Sequence, residues 1–359
     1  MNILFLVPYP VKESPSQRFR FEQYFKILTS QGYSFTVQSF LNSQNWRLFF
    51  KPGNWLLKIR ALLNGFYNRF SILLSLARYD FIFIHREVFP LGPPVLEWLI
   101  AKVFRKKIIY DFDDAIWHTD RQRESLLMKF VKWRSKVANI CRWSYRISCG
   151  NDYLCLYARN FNKDVVLNPT TIDTEALHNP HEYLRNPLVE NKIIIGWTGS
   201  HSTLKYLREI EPVLQKIEEQ FPFVTIRVIA DREPDLRLKS LIFKPWSIET
   251  EIEDLATFDI GIMPLPDDEW SKGKCGFKAL QYMALEIPTI ASTVGVNSAI
   301  IEHEINGYLA ASLTDWENYL KLLITNHELR RAVGKRGRRK VMSDYSVESN
   351  AENFLSLFA

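Results

Sequence analysis

The chain has 359 residues, 47% of them hydrophobic and 24% charged, which is enough for two domains with buried cores and excludes a disordered protein. Its net charge of +6 favours anionic partners such as nucleotide diphosphates, anionic lipid headgroups or nucleic acid, without choosing among them. The four cysteines form no Cys-x-x-Cys pair, which argues against a disulfide framework or a structural zinc and is typical of a reducing cytosol.

The first apolar run predicts a short buried strand rather than a signal peptide. Similar runs alternate with helix-period segments along the whole chain, the pattern of parallel sheets covered by helices, and no stretch is long and apolar enough for a membrane span. The predicted strands are Ile3–Val7, Ser34–Ser39, Phe81–His85, Lys107–Tyr110, Tyr145–Cys149, Ile193–Ile195, Val224–Ile229, Ser240–Phe243, Ile260–Pro264 and Thr289–Ala291.

Polar residues follow several strands of the first half. Arg18 and Arg20 lie after the first strand and are placed to meet a donor phosphate or an anionic acceptor, or else to remain solvated. His85 ends another strand, and Asp111 and Asp113 follow the next. Ligands bind outside the carboxyl ends of such strands, so we expect these side chains at a cleft. Clustered carboxylates bind a metal, act as a base or cap a helix.

The segment Trp46–Tyr79 has a distinct composition. It holds six Lys or Arg residues, no acidic residue, and large apolar side chains such as Trp55 and Phe66. Basic charge beside aromatic bulk is typical of a helix that lies in a membrane interface. An amphipathic helix that packs on the first sheet and keeps its Lys and Arg solvated explains the pattern equally well.

The stretch 178–190 is polar, contains prolines and lacks periodicity, so it predicts a linker. We therefore expect a first domain at 1–177, a second at 191–340, and a C-terminal helical segment at 341–359.

Two strand–turn–helix motifs follow the linker. In the first, Gly199 permits close approach of a phosphate, which Ser200 or Thr203 would contact. The motif lacks GxGxxG and GxxxxGK[ST], which disfavours a dinucleotide site or a P-loop, and an ordinary βα turn would look similar.

The second motif, Asp267–Lys278, leads into an apolar helix. On helical spacing Lys274, Lys278 and Gln281 share the face opposite its apolar stripe. A helix N-terminus favours phosphate, so this turn, with Gly276 and Phe277, predicts a diphosphate site. The alternative is a glycine-containing loop that caps a buried helix and leaves its lysines solvated.

These residues resemble glycosyltransferase family 4, the retaining GT-B enzymes, in a divergent branch with a lysine-rich donor loop. The resemblance covers nearly the whole chain, and Met283–Ser292 matches the family's Met-Ala, Pro and strand ending. It implies an α/β protein of two Rossmann-like domains whose parallel sheets face across a cleft, the first binding the acceptor and the second the nucleotide-sugar. It also implies a C-terminal helix that packs back on the first domain.

The resemblance implies roles for particular residues. The family's paired glutamates are replaced by Gly273 and Gln281, of which Gln281 is expected at the ribose. Trp246 is expected at the nucleotide base. By register Asp113 takes the place of a residue near the transferred sugar, and Asp268 is a further candidate for sugar recognition.

Lys274 and Lys278 are expected to neutralise the leaving diphosphate, so the predicted site needs no metal and no cofactor besides the nucleotide-sugar. The implied reaction moves a hexose-type sugar from a UDP- or GDP-sugar to a hydroxyl of a cell-envelope glycan or lipid-linked intermediate, with retention of configuration. The implied location is cytoplasmic, with a possible contact to the inner leaflet of the membrane through residues 46–79.

Loss of both glutamates leaves a second interpretation, a non-catalytic nucleotide- or glycan-binding scaffold subunit of a glycan-assembly complex. An NAD-dependent oxidoreductase is disfavoured because GxGxxG is missing, and nucleic-acid binding lacks any motif beyond positive charge.

Overall fold

The structure is a computed structural model that describes residues 1–49, 51–118, 132–183 and 192–359. The chain divides into two compact units. Unit 1 comprises Met1–Thr170, Gly273–Cys275 and Asn350–Ala359, and unit 2 comprises Thr171–Lys272 and Gly276–Ser349. The described part of the predicted linker, 178–183, belongs to unit 2, whereas 184–190 lie outside the described residues.

Unit 1 is built on a six-stranded parallel sheet in the order β2-β1-β3-β4-β5-β6. Its central strands are mainly apolar and are buried except at Asn2 and Lys107, the first residues of two of them, as expected for a sheet covered on both faces. The strands are β1 (Asn2–Val7), β2 (Ser34–Ser39), β3 (Phe81–His85), β4 (Lys107–Phe112), β5 (Arg146–Cys149) and β6 (Val165–Leu167).

Seven α-helices are described in unit 1 before β6, and all but the first two contribute apolar side chains to the core cluster of this sheet. They are α1 (Pro15–Arg18), α2 (Phe25–Ser30), α3 (Ser43–Phe49), α4 (Trp55–Ser71), α5 (Val95–Trp98), α6 (Lys136–Trp143) and α7 (Asp152–Arg159). Within the part of the chain that the structure describes, no helix is long and apolar enough to cross a membrane.

Unit 2 has its own parallel sheet in the order β12-β11-β10-β7-β8-β9 and its own apolar core. The strands are β7 (Ile193–Gly199), β8 (Val224–Ala230), β9 (Leu241–Pro245), β10 (Ile260–Met263), β11 (Thr289–Ser292) and β12 (Tyr308–Ala310). The helices are α8 (Leu207–Gln220), α9 (Glu251–Ala256), α10 (Glu269–Lys272), α11 (Phe277–Ala284), α12 (Asn297–Ile300), α13 (Leu313–Thr325) and α14 (His327–Lys340).

The last helix, α15 (Ala351–Ser356), belongs to unit 1. Its Phe354 ring stacks on Tyr24 with centroids 4.2 Å apart, and Phe358 packs beside Phe5 and Phe83. The predicted α/β class with two parallel sheets, and the return of the C-terminal helix to the first unit, are confirmed.

Several strands run further than the sequence predicts, and two of these differences bear on the candidate site. β4 continues to Phe112, so Asp111 lies within the strand rather than after it, because β4 pairs on both sides with β3 and β5 up to that point. β7 continues through Gly199, because β8 pairs with it along all seven residues. The predicted end of this strand at Ile195 is therefore wrong.

Candidate functional site

A buried polar cluster lies at the carboxyl ends of three neighbouring strands of unit 1. His85 on β3 and Asp111 on β4 are register partners, as are Asp111 and Ser148 on β5, so the pairing of the sheet brings the three side chains together. The His85 Nδ1 lies 2.7 Å from one Asp111 oxygen, and the Ser148 hydroxyl donates to the other at 2.6 Å. The Arg20 guanidinium donates to both oxygens.

The charges of this cluster compensate one another. Burial alone would raise the pKa of Asp111, but the Arg20 guanidinium and the hydrogen bond from His85 outweigh it, so the pKa of Asp111 lies well below its ordinary value. Burial likewise opposes the charge of Arg20, yet Asp111 holds the pKa of Arg20 above its ordinary value. Both pKa shifts are those of a buried ion pair between Arg20 and Asp111.

Two residues that the sequence predicts to bind the acceptor are buried in this cluster. The side chains of Asp111 and His85 have no exposed surface, and their polar atoms form hydrogen bonds with other residues of the protein. In this structure neither is open to a ligand, so the geometry favours a positioning role over direct contact with an acceptor.

A second, partly exposed set of charges follows β3 and β4. Arg86 has a φ of 60°, a left-handed conformation that is uncommon for a residue with a side chain. Its Nε donates to Asp113 Oδ1 at 2.9 Å, and its Nη2 donates to Asp114 Oδ2 at 2.6 Å. Lys274 Nζ donates to the other Asp114 oxygen at 2.9 Å. Arg86 therefore orients both carboxylates.

The pKa of Asp114 records this arrangement. Burial alone would raise the pKa of Asp114, but the Lys274 ammonium and the Arg86 guanidinium outweigh burial, so this pKa lies below its ordinary value. Asp114 is thus a charged partner for Lys274 at neutral pH.

The tripeptide Gly273–Cys275 is held in unit 1 by close contacts. A Cβ at Gly273 would lie 2.6 Å from the Cβ of Ala115, so only glycine fits there. The Cys275 thiol donates to the Asp113 carbonyl at 3.1 Å, and Asn151 Nδ2 donates to the Lys274 carbonyl at 2.9 Å.

The predicted helical face shared by Lys274 and Lys278 is wrong. Gly276 has a φ of +68°, and α11 begins only at Phe277, so Lys274 precedes the helix. A side chain at Gly276 would be strained and would collide with Ile300. The two lysines belong to different units.

In unit 2 the end of β7 and the start of α11 form the predicted phosphate-binding region. Lys278 Nζ lies 5.5 Å from the ring centroid of Trp197, which is buried. A Cβ at Gly199 would collide with Trp197 and lie 2.8 Å from Thr203 Oγ1, so glycine is required there by packing. Thr203 Oγ1 donates to the Ser200 carbonyl at 3.0 Å, which closes the turn after the strand.

The other predicted residues lie in varied settings. Gln281 is buried, with its Nε2 3.3 Å from His178 Nε2. Trp246 is half-buried against an apolar cluster that includes Tyr282.

Asp268 is exposed and caps α10, accepting from the Ser271 amide at 2.7 Å. In unit 1, the Arg18 guanidinium lies 5.1 Å from the centroid of the Phe19 ring.

Sequence reasoning missed the parts that Ser148 and Trp197 play. Ser148 is a polar residue in the predicted apolar strand Tyr145–Cys149, and Trp197 is a large aromatic residue in the glycine-containing turn that follows the predicted strand Ile193–Ile195. That contrast was the available signal. Among the residues that the structure describes, no group of three or more His, Cys, Asp or Glu side chains is placed to hold a metal ion.

The sequence of unit 2 matches a known family. Residues 193–326 match the family described as Glycosyl transferases group 1. Over 78 residues the chain is 35% identical to Glycosyltransferase 1 domain-containing protein 1 of Xenopus tropicalis. The match covers 22% of this chain and 23% of that protein, so the chain spans less than a quarter of the curated relative's length.

Solved structures resemble the whole chain. A glycosyltransferase from Rickettsia africae ESF-5 has a TM-score of 0.69 at 14% identity, over 99% of this chain and 97% of that one. Sucrose-phosphate synthase (tll1590) from Thermosynechococcus elongatus has a TM-score of 0.67 at 14% identity, over 100% and 98%. Anabaena Alr3699/HepE, in complex with UDP and glucose, has a TM-score of 0.64 at 14% identity, over 99% and 98%. At such identities the likeness shows the fold alone, which is GT-B.

Proposed function

We propose that the protein is a glycosyltransferase that moves a sugar from a UDP- or GDP-sugar to a hydroxyl acceptor. The observation that carries the proposal is the match of residues 193–326 to Glycosyl transferases group 1, within a chain of GT-B fold. Structures of HepE contain UDP with glucose, and UDP-glucose. UDP-glucose is therefore the first donor to test.

In this proposal, unit 2 binds the donor. Lys278 and the N-terminus of α11, with Gly276 and Phe277, bind the diphosphate, since helix N-termini and ammonium groups both favour phosphate. The turn formed by Ser200 and Thr203 contributes hydroxyl groups. Trp246 lines the base and Gln281 the ribose. Because Gln281 is buried beside His178, its contact with a ribose requires that its side chain turns outward.

Unit 1 contributes Asp113 and Lys274. Asp113 binds the transferred sugar or the acceptor, and Arg86 fixes the direction of its carboxylate. Lys274 neutralises charge on the leaving diphosphate. Since Lys274 pairs with Asp114 in this structure, it must exchange that carboxylate for the phosphate during the reaction.

The finer parts of the proposal rest on the resemblance to family 4. They are retention of configuration, a reaction that needs no metal, and a cell-envelope glycan or lipid-linked acceptor. Asp268 and Arg18 are proposed sugar- or acceptor-binding residues. A cytoplasmic location agrees with the four cysteines, which are all free and buried.

The test combines binding with turnover. The purified full chain is screened with UDP- and GDP-sugars by thermal shift, because a ligand that binds only the folded protein raises the unfolding midpoint. The donor that binds is then assayed for release of its nucleotide diphosphate, with and without a hydroxyl acceptor. We expect Lys278→Ala to lower kcat by roughly 10²–10³-fold, the typical loss when one preorganised charge is removed.

Lys335→Ala is the matched control, because it removes an equal charge from an exposed position on α14 in the same unit. It should turn over as the native protein does. Binding of a donor without any turnover across the panel would contradict the enzyme proposal and favour the scaffold interpretation. NMR of the anomeric proton of the product tests retention.

A further inference from the structure

The outward face of α4 carries a continuous apolar stripe. Positions three or four residues apart share one side of a helix. The exposed apolar residues here follow that spacing, and the stripe consists of Leu56, Ile59, Leu63, Tyr67, Phe70 and, just beyond the helix, Leu74. Leu56 is 84% exposed and Leu74 is 92% exposed. Monomeric proteins rarely leave so many large apolar side chains together in water.

The opposite face of α4 fixes the direction of this stripe. Ala61, Gly65 and Arg69 are buried at i, i+4 and i+8. A Cβ at Gly65 would lie 2.8 Å from the ring of Phe40, so the helix lies against the unit at this point. The Arg69 guanidinium donates to the carbonyls of Val7 and Gln38, each at 2.6 Å. The helix is therefore anchored, and its apolar stripe faces away from the core.

Charge distinguishes the possible partners. The segment 46–79 contains no acidic residue. Lys51, Arg60 and Arg78 are exposed along it, and the Lys58 ammonium lies 5.4 Å from the centroid of the Trp55 ring. Exposed apolar and aromatic side chains beside cations, in a segment with no acidic residue, complement a surface that is apolar inside and anionic at its rim. A bilayer with anionic headgroups has this character.

We propose that α4 docks on an anionic lipid bilayer. The stripe enters the boundary between headgroups and acyl chains, and Lys51, Arg60 and Arg78 contact the headgroups. A second copy of the chain fits less well, because a two-fold contact through α4 would bring equal positive charges together without an acidic residue from this segment. The inference does not rest on the proposed catalytic function, and either can fail without the other.

Vesicle co-sedimentation of the full chain tests the proposal. One set of vesicles is phosphatidylcholine alone, and the other is equal parts phosphatidylcholine and phosphatidylglycerol. We expect the protein to sediment with the anionic set and to be released as salt rises. Arg60→Gln should weaken partition about fivefold, and Leu63→Glu about tenfold or more, since it removes an inserted side chain and adds a negative charge.

Leu156→Glu is the matched control. Leu156 lies on α7 and is 62% exposed, against 63% for Leu63, so the same substitution is made at equal exposure outside the stripe. It should sediment as the native protein does, and Tyr67→Glu should repeat the loss. Equal sedimentation of Leu63→Glu and Leu156→Glu, or no sedimentation with either vesicle, would overturn the proposal. So would a lipid-free dimer, seen by analytical ultracentrifugation, that Leu63→Glu dissociates.

Discussion

The carboxylate of Asp111 is fully buried, and Arg20, His85 and Ser148 all bind it. Replacing it with asparagine would leave the Arg20 guanidinium buried beside a neutral amide. Breaking a buried pair in this way typically costs about 3–5 kcal/mol. We therefore expect Asp111→Asn to lower the free energy of unfolding by that amount at about pH 7, measured by urea titration.

The pH dependence of the same variant is a sharper measurement. The folded-state pKa of Asp111 is depressed, so its carboxylate contributes stability above the unfolded pKa of about 3.9 and loses it as pH falls towards the folded pKa. As pH falls from about 5 to about 2, the native protein should lose the stabilisation from the Asp111 carboxylate, which the variant lacks at every pH. The difference in free energy of unfolding between the two proteins should therefore narrow. Asp235→Asn, at a pair whose carboxylate is 93% exposed, should change little at any pH. A constant difference for Asp111→Asn would contradict the assignment.

Sequence reasoning reached part of this residue-scale chemistry. His85 and Asp111 were expected near each other because the ends of parallel strands meet at one edge of a sheet. Their burial could not be predicted, because it depends on Arg20 and Ser148, which come from distant parts of the chain. The ion pair of Asp114 with Lys274 joins residues 160 positions apart, and no local sequence pattern predicts it.

Gly65 decides how closely α4 lies against its unit. An added Cβ would lie 2.8 Å from the Phe40 ring and 2.9 Å from the Phe40 carbonyl oxygen, so Gly65→Ala must displace the helix. Overpacking of this kind costs about 1–3 kcal/mol, against a gain of about 1 kcal/mol in helix propensity. We expect a net lower midpoint of thermal unfolding. Asn64→Ala, at the exposed neighbouring position, gains propensity without a contact and should raise the midpoint.

At the scale of elements, periodicity predicted the existence of ten strands but not all of their limits. β6 and β12 were missed because each has three residues, too few to show a period. The start of α11 was misplaced because Gly276 has a left-handed backbone, at a position where Ile300, 24 positions later, leaves no room for a Cβ. Helical periodicity cannot detect such a constraint.

For the whole molecule, the chain ends in the unit where it began. α15 belongs to unit 1 although it follows all of unit 2 in sequence. Composition and period do not predict this return, and only the resemblance to family 4 implied it. The consequence is that the core of unit 1 is completed by the last residues of the chain.

Phe354 provides the test of that consequence. Its ring is fully buried against Tyr24 and Phe83, so Phe354→Ala should remove about 3–5 kcal/mol of stability through the cavity it leaves. If each unit opens as its own cooperative block, hydrogen exchange should quicken in β1 and β3 while β7 and β10 keep their protection. Glu352→Ala, on the exposed side of α15, should leave exchange unchanged. Each unit has a separate core, so amides of the two sheets should exchange independently. Equal loss of protection in both sheets would contradict this and would mean that the two units unfold together.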